Sequence, residues 1–167
     1  MSAETGAYLL RIRLNTPLKV SLRRGAIRGV LAPGTYVYAG NAYGPGGLDA
    51  RVRRHIDKTK TPHWHVDHVT TQAAEVTADL FPGGQECDLI AELLASGDYT
   101  VPIAHFGSSD CRQCPSHFLH LVRYHDPVLS RGTTLHLHPG LPDQVGQRRV
   151  RFNPSDSRRS CLSGSHG

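Results

Sequence analysis

The chain has 167 residues, enough for one domain with its own core and short of what two comfortably need. Hydrophobic residues make up 38% and charged residues 20%, and no apolar run approaches the ~20 residues of a membrane-spanning helix, which argues against an integral helical membrane protein. Lysine and arginine together number 19 against 14 aspartates and glutamates; with lysine only at Lys19, Lys58 and Lys60, the excess is arginine, whose planar fork suits phosphate and makes nucleic acid a plausible partner.

In chain order, the opening segment MSAETGAYLLRIRL lacks the basic-then-apolar pattern of a signal peptide, and YLLRIRL within it alternates as a first strand. After the turn signal Asn15-Thr16-Pro17, LKVSL reads as a strand returning in a hairpin. Ala32-Pro33-Gly34-Thr35 is a further turn. YVYAG then forms a strand with Tyr36 and Tyr38 on one face and Val37 on the other. Gly44-Pro45-Gly46-Gly47 breaks the chain, and a helix is expected from about Leu48, with Asp49 complementing the positive end of its dipole. At ~100° per residue, Leu48, Val52 and Ile56 form its apolar stripe, and Arg51, His55 and Lys58 the adjoining edge.

HWHVDHV, after Pro62, fits either strand or helix; as a strand it puts His63, His65 and Asp67 on one face. AEVTADLF is a strand ended by Pro82-Gly83-Gly84. QECDLIAELLASG is the clearest helix, with Cys87, Ile90, Ala91 and Leu94 at i, i+3, i+4 and i+7 and Gly97 as its stop. Glu86 lies within its apolar arc, between Ile90 and Leu93, where a carboxylate needs a cation, a metal or several donors. FGSSDCRQCPSH is a polar loop and FLHLVRY the last strand. From about Asp126 apolar residues thin out, so a folded unit of residues 1–125 is expected to precede a poorly ordered Pro/Arg/Ser-rich tail, 126–167. Its arginines, Arg148 and Arg149 among them, are solvated or add salt-sensitive affinity for nucleic acid.

The four cysteines, Cys87, Cys111, Cys114 and Cys161, are not spaced as a secreted disulfide framework, so a reducing, cytoplasmic setting is expected. Cys111, Cys114 and His117 have zinc-like spacing, but a closed site wants a fourth ligand, and the sequence offers only Asp110, His120 or distant histidines. His63, His65 and Asp67 are also ligand types, although a turn with hydrogen-bonded histidines is the commoner explanation; Trp64 between them reads as a core anchor. Each remaining candidate has a local explanation too. Tyr8, Tyr36 and Tyr38 are ordinary strand packing, Arg51 and His55 a solvated helix edge, and Glu86 a first-turn acid.

Taken together, a tyrosine-bearing strand, a glycine turn and a helix carrying an arginine four residues before a histidine resemble the GIY-YIG endonuclease superfamily. The name motifs correspond to Gly6-Ala7-Tyr8 and Tyr38-Ala39-Gly40, the arginine to Arg51 and the metal-binding glutamate to Glu86. His63-Trp64-His65, Glu86-Cys87, Asp110-Cys111-Arg112 and Ser116-His117 resemble an uncharacterised branch of that superfamily, over roughly Gly6 to Tyr124. The gap from Tyr8 to Tyr38 is longer than usual there, and LKVSLRRGAIRGVL within it reads as an extra hairpin.

The resemblance implies a small α+β fold, a mostly antiparallel sheet flanked by helices, and metal-dependent hydrolysis of phosphodiesters in DNA. It implies catalytic roles for Tyr8, Tyr38, Arg51, His55 and Glu86. Tyr8 would be the general base, directly or through Tyr38, its anion favoured by the field of Arg51. Glu86 would hold one Mg²⁺ or Mn²⁺, with zinc the lesser alternative as cofactor. Gly40, Gly46, Gly47, Arg54, Lys58, His65, Asp110 and His117 are the candidate substrate-binding residues, the glycine turn by bringing backbone amides to a phosphate. A non-catalytic nucleic-acid-binding module and a zinc-stabilised interaction domain are the alternatives.

Overall fold

The computed structural model describes residues 3–123 and the backbone of residues 148–150. Along the chain the elements are β1 (Gly6–Leu14), β2 (Leu18–Leu22), β3 (Ile27–Leu31), β4 (Gly34–Asn41), α1 (Gly47–Ile56), α2 (Asp67–Thr70), β5 (Glu75–Pro82), α3 (Glu86–Ala95), β6 (Tyr99–Thr100), β7 (Phe118–Leu121) and β8 (Arg148–Val150). The central sheet has the order β6-β7-β4-β1-β5-β8, and each of its pairings is antiparallel. This is the α+β architecture expected from the sequence.

Central strand β1 is buried on both faces, which is why its sequence opens as an unbroken apolar run. Tyr8, Leu10 and Ile12 face one way, into a core shared with Tyr36 and Tyr38 of β4, Leu48 and Val52 of α1, and Val66 and Val69. Ala7 and Leu9 face the other way, into a core with Val37 and Ala39 of β4, Leu89 and Ile90 of α3, and Leu119 of β7. The two tyrosine-bearing strands are direct neighbours. Tyr8 pairs with Gly40 and Leu10 with Tyr38, so the phenols are diagonal neighbours on one face.

Several elements differ from the sequence expectation. LKVSL does not return onto β1. It pairs with Ile27–Leu31 in a separate two-stranded sheet, the extra hairpin, whose Val20, Leu22, Ile27 and Leu31 close one end of the first core. HWHVDHV is not a strand: it is a turn leading into α2, and His63, His65 and Asp67 share no strand face. The buried stripe of α1 runs Leu48, Val52, His55, with Ile56 only partly covered. Seven residues bring a helix within ~20° of its starting direction and eight do not, so geometry selects His55 although its polarity hides it from a hydrophobic pattern. Lys58 lies beyond the end of α1, and its ammonium donates to the Ala73 carbonyl. In α3 Leu89 turns inward and Ala91 outward. FLHLVRY is strand only to Leu121, and β8 adds a later edge strand beside β5. Otherwise the expected tail, 126–167, falls outside the described residues. Among the described residues, no helix is long and apolar enough to cross a membrane.

Candidate functional site

The inward face of β1 delivers Tyr8 to the buried edge of α1. Its phenol oxygen lies 2.8 Å from His55 Nε2, and His55 Nδ1 lies 3.0 Å from Asp67 Oδ1. All three side chains are within 2% of complete burial. An ionised carboxylate only accepts, so His55 carries its proton on Nδ1 and Nε2 is left to accept from the Tyr8 hydroxyl. Asp67 is itself held from several sides. Its Oδ2 accepts from the backbone N–H groups of His63 at 2.9 Å and Trp64 at 3.0 Å, and Lys60 Nζ approaches Oδ1 at 3.2 Å.

Burial sets the protonation of this line. It raises the Tyr8 pKa well above the ordinary tyrosine value, reinforced by Tyr38, and the Arg51 guanidinium opposes it without prevailing. It likewise pushes Tyr38 up to about 12, helped by Asp67. The expectation that nearby cations favour the Tyr8 anion is therefore corrected: desolvation outweighs the cationic field. Burial lowers His55, with the Asp67 carboxylate pulling the other way. Burial alone would raise Asp67, but the His55 hydrogen bond, the His63 and Trp64 N–H groups and Lys60 hold it well below the usual carboxylate range.

These directions fix a pH dependence. His55 and Asp67 both have folded values below their unfolded ones. The unfolded chain therefore binds more protons as pH falls, and stability falls with it. The His55 contribution is whole above its unfolded value of about 6.5 and is lost as pH drops through its lower folded value; Asp67 follows below about 3.9. Urea unfolding from neutral pH to about 5 is expected to show a steady loss of stability. A free energy flat over that range would contradict the buried neutral imidazole.

Around the phenols stand Arg51 and Glu86, each near enough to act electrostatically on both Tyr8 and Tyr38. The Arg51 guanidinium lies 4.5 Å from the centre of the Trp64 ring, and that of Arg54 lies 5.0 Å from it. Such stacking orients a guanidinium while leaving its N–H fork for an anion. Trp64, itself partly buried against the core, thus serves as a platform as well as an anchor. Glu86, at the first position of α3, accepts from Asn41 Nδ2 at 2.7 Å.

The remaining expected residues divide. Gly40 faces the Tyr8 ring: a Cβ there would sit 2.3 Å from the phenol oxygen, so this glycine makes room for the tyrosine rather than for substrate. Gly47 has φ +62°, and a Cβ on it would meet the Glu4 carbonyl at 2.3 Å. The adjoining amides are already used, Gly47 N donating to Gly44 O and Leu48 N to Glu4 O, so the Gly46-Gly47 turn packs the helix start and does not offer these amides to a phosphate. Arg54 lies 3.8 Å from Asp67 but stays partly exposed. His65 Nδ1 accepts from Gly107 N at 3.1 Å, which pins a loop rather than a ligand. Asp110 is exposed on the loop before Cys111.

His117 lies elsewhere, in a second cluster. Its nitrogen and the sulfurs of Cys87, Cys111 and Cys114 all fall within 4.8 Å of one another. Cys87 Sγ is 3.5 Å from Cys111 Sγ and 3.8 Å from His117 Nε2. The fourth member missing from the Cys111 loop is thus Cys87, on α3. Sequence reasoning paired Cys87 with the helix core, and only the long-range packing of α3 against the loop reveals it. Asp67, Lys60 and Asn41 were likewise missed as partners, since nothing local links them to His55 or Glu86.

Fold and sites together define an α+β domain with a buried phenol–imidazole–carboxylate line and, apart from it, a three-sulfur, one-nitrogen tetrad. The chain belongs to the family described as Domain of unknown function DUF123, which it matches over residues 7–136. No curated protein and no solved structure matches it.

Proposed function

We propose that the chain is a divalent-metal-dependent endonuclease of the GIY-YIG type, hydrolysing phosphodiester bonds in DNA. The observation that carries this reading is the buried line Tyr8–His55–Asp67 with Arg51 and Glu86 beside it.

The chemistry follows from the protonation states. A water attacks phosphorus and the P–O bond to the leaving oxygen breaks. The water's proton passes to the Tyr8 oxygen as the Tyr8 proton passes to His55 Nε2. The resulting imidazolium is stabilised by Asp67, which orients the ring throughout. Arg51 neutralises charge growing on the phosphate. Glu86 fits Mg²⁺ or Mn²⁺: Asn41 anchors one carboxylate oxygen, and such ions take one or two protein carboxylates and complete their shell with water and phosphate oxygens. When bound, the ion stabilises the leaving oxygen. The basic balance of the chain, formal net charge +5, supports a polyanionic partner, and the absence of a disulfide among Cys87, Cys111 and Cys114 suits a reducing cytoplasm.

The test is incubation of the full chain with labelled single-stranded, duplex and branched DNA in Mg²⁺, Mn²⁺ or chelator. Metal-dependent strand cleavage is expected, and Arg51→Ala and Glu86→Gln are each expected to lower it by at least about 10²-fold while Glu86→Gln retains DNA binding. Binding with no cleavage under any metal would instead identify a non-catalytic module. A second reading, a zinc-stabilised interaction domain, is favoured by the Cys87–Cys111–Cys114–His117 tetrad; neither cleavage nor DNA binding would then be found.

A further inference from the structure

We infer that Cys87, Cys111, Cys114 and His117 together bind one structural zinc ion, and that this ion fastens α3 and the 105–117 loop to the two sides of the phenol site. The site goes beyond the nuclease reading and stands whether or not DNA is cut.

The ligand set comes first. Cys87–Cys111 at 3.5 Å and Cys87–His117 at 3.8 Å equal the edges of a tetrahedron with Zn–S of about 2.3 Å and Zn–N of about 2.0 Å, whose ligand atoms stand roughly 3.5–3.8 Å apart, and all four ligand atoms lie within 4.8 Å of one another. Soft thiolates with one imidazole select zinc over the oxygen-seeking Mg²⁺ and Mn²⁺. Four protein ligands leave no open position, which is the mark of a structural and not a hydrolytic zinc.

The surroundings are those of a metal site. Cys111 Sγ accepts from Gln113 N at 3.4 Å and Cys114 N at 3.3 Å, the bonds a thiolate ligand needs to disperse its charge. His117 turns Nε2 toward Cys87 at 3.8 Å, and its backbone N–H donates to the Phe106 carbonyl at 3.0 Å, which holds the residue in place at the end of the loop. Cys114 and His117 are buried, and Cys87 and Cys111 half-buried.

The cluster also has reach. Cys87 follows Glu86 directly, so a ligand bond at Cys87 fixes the first turn of α3 where Glu86 meets Asn41. On the other side Gly107, next to the Phe106 carbonyl that accepts from His117 N, has φ +72° and lies so close to Tyr38 that a Cβ on it would stand 2.5 Å from the ring. Its N–H is taken by His65. One ion thus joins a helix and a loop far apart in sequence, adding ligand bonds to the apolar cluster in which Cys114 already packs with Leu89 and Ile90.

The experiment uses the full chain purified under reducing conditions. Elemental analysis is expected to find one zinc per chain, released when the thiols are titrated with an organomercurial. Cobalt substituted for zinc is expected to give the strong visible ligand-field bands and near-ultraviolet thiolate charge transfer of a tetrahedral site. Cys111→Ser is expected to lose the metal; His117→Cys, which keeps four ligands, and Asp110→Ala and His120→Ala, which alter none, are expected to keep it. Hydrogen exchange on the zinc-depleted chain is expected to lose protection in α3 and the 105–117 loop before the β1–β4–β5 sheet. Reduced protein that takes up no zinc on reconstitution, a cobalt form without thiolate charge transfer, or a Cys87–Cys111 disulfide in place of the metal would each overturn the assignment. If Cys111→Ser fails to fold, the metal count and cobalt spectrum of the unaltered chain still decide.

Discussion

Replacing Asp67 with alanine is expected to lower the free energy of unfolding by about 3–5 kcal/mol. Asp67 has no exposed surface, and its partners Lys60 and His55 are 2% and 1% exposed. Removing the carboxylate strands the Lys60 ammonium in the interior with only Thr70 Oγ1 and the His55 carbonyl to receive it. It also frees the His63 and Trp64 N–H groups, which set the turn carrying Trp64. The cost is the penalty of an uncompensated charge and not the worth of one bond, so it exceeds the sum of surface ion pairs. Urea denaturation at neutral pH measures it; a loss under about 1 kcal/mol would mean that water screens the site.

Tyr8→Phe is expected to slow cleavage by about 10²–10⁴-fold, the range of a positioned proton-transfer group. DNA affinity should persist, because Arg51 and the chain's other cations are untouched. Stability should fall by about 1–3 kcal/mol as His55 Nε2 loses its donor. The pH profile of the unaltered chain discriminates further. With Tyr8 raised far above neutrality by burial and His55 lowered, activity requires the neutral imidazole. The rate is therefore expected to climb to a plateau below about pH 6.5 and stay flat to about pH 9. A rate rising tenfold per unit across the alkaline range would show instead a free phenolate acting as base.

Much of this was legible along the chain and much was not, for a common reason. Alternation along YLLRIRL marked β1, turn residues bounding YVYAG and AEVTADLF marked β4 and β5, and the apolar arc of α3 emerged because local patterning and tertiary burial agree there. Tyr8, Tyr38, Arg51 and Glu86 stand together only through the family resemblance, and in the structure Arg51 and Glu86 both act electrostatically on the two phenols. His55 takes a catalytic role only through the family resemblance; by the residues alone it reads as part of a solvated edge, because a buried histidine on an otherwise apolar stripe carries no hydrophobic signal. Its partner Asp67 lies 12 residues on, in a stretch that reads as a turn with hydrogen-bonded histidines and carries nothing that ties it to α1. Cys87 was hidden in the same way, reading as a small apolar helix residue until α3 packs against the Cys111 loop. In each case the chemistry depends on a contact between elements, and sequence spacing encodes only contacts within one. The glycine turn misled in the opposite direction: Gly46-Gly47 looks like a phosphate loop, but its shape is dictated by the approach of Glu4.

The most direct measurement is single-turnover incubation of the full chain with end-labelled DNA in Mn²⁺, run in parallel with Tyr8→Phe and with chelator. Strand breaks are expected from the unaltered chain in metal alone, with Tyr8→Phe bound to the same DNA and nearly inert. Equal breakage by both proteins, or DNA bound and left whole by the unaltered chain, would contradict a phosphodiester-cleaving centre built on Tyr8, His55 and Asp67.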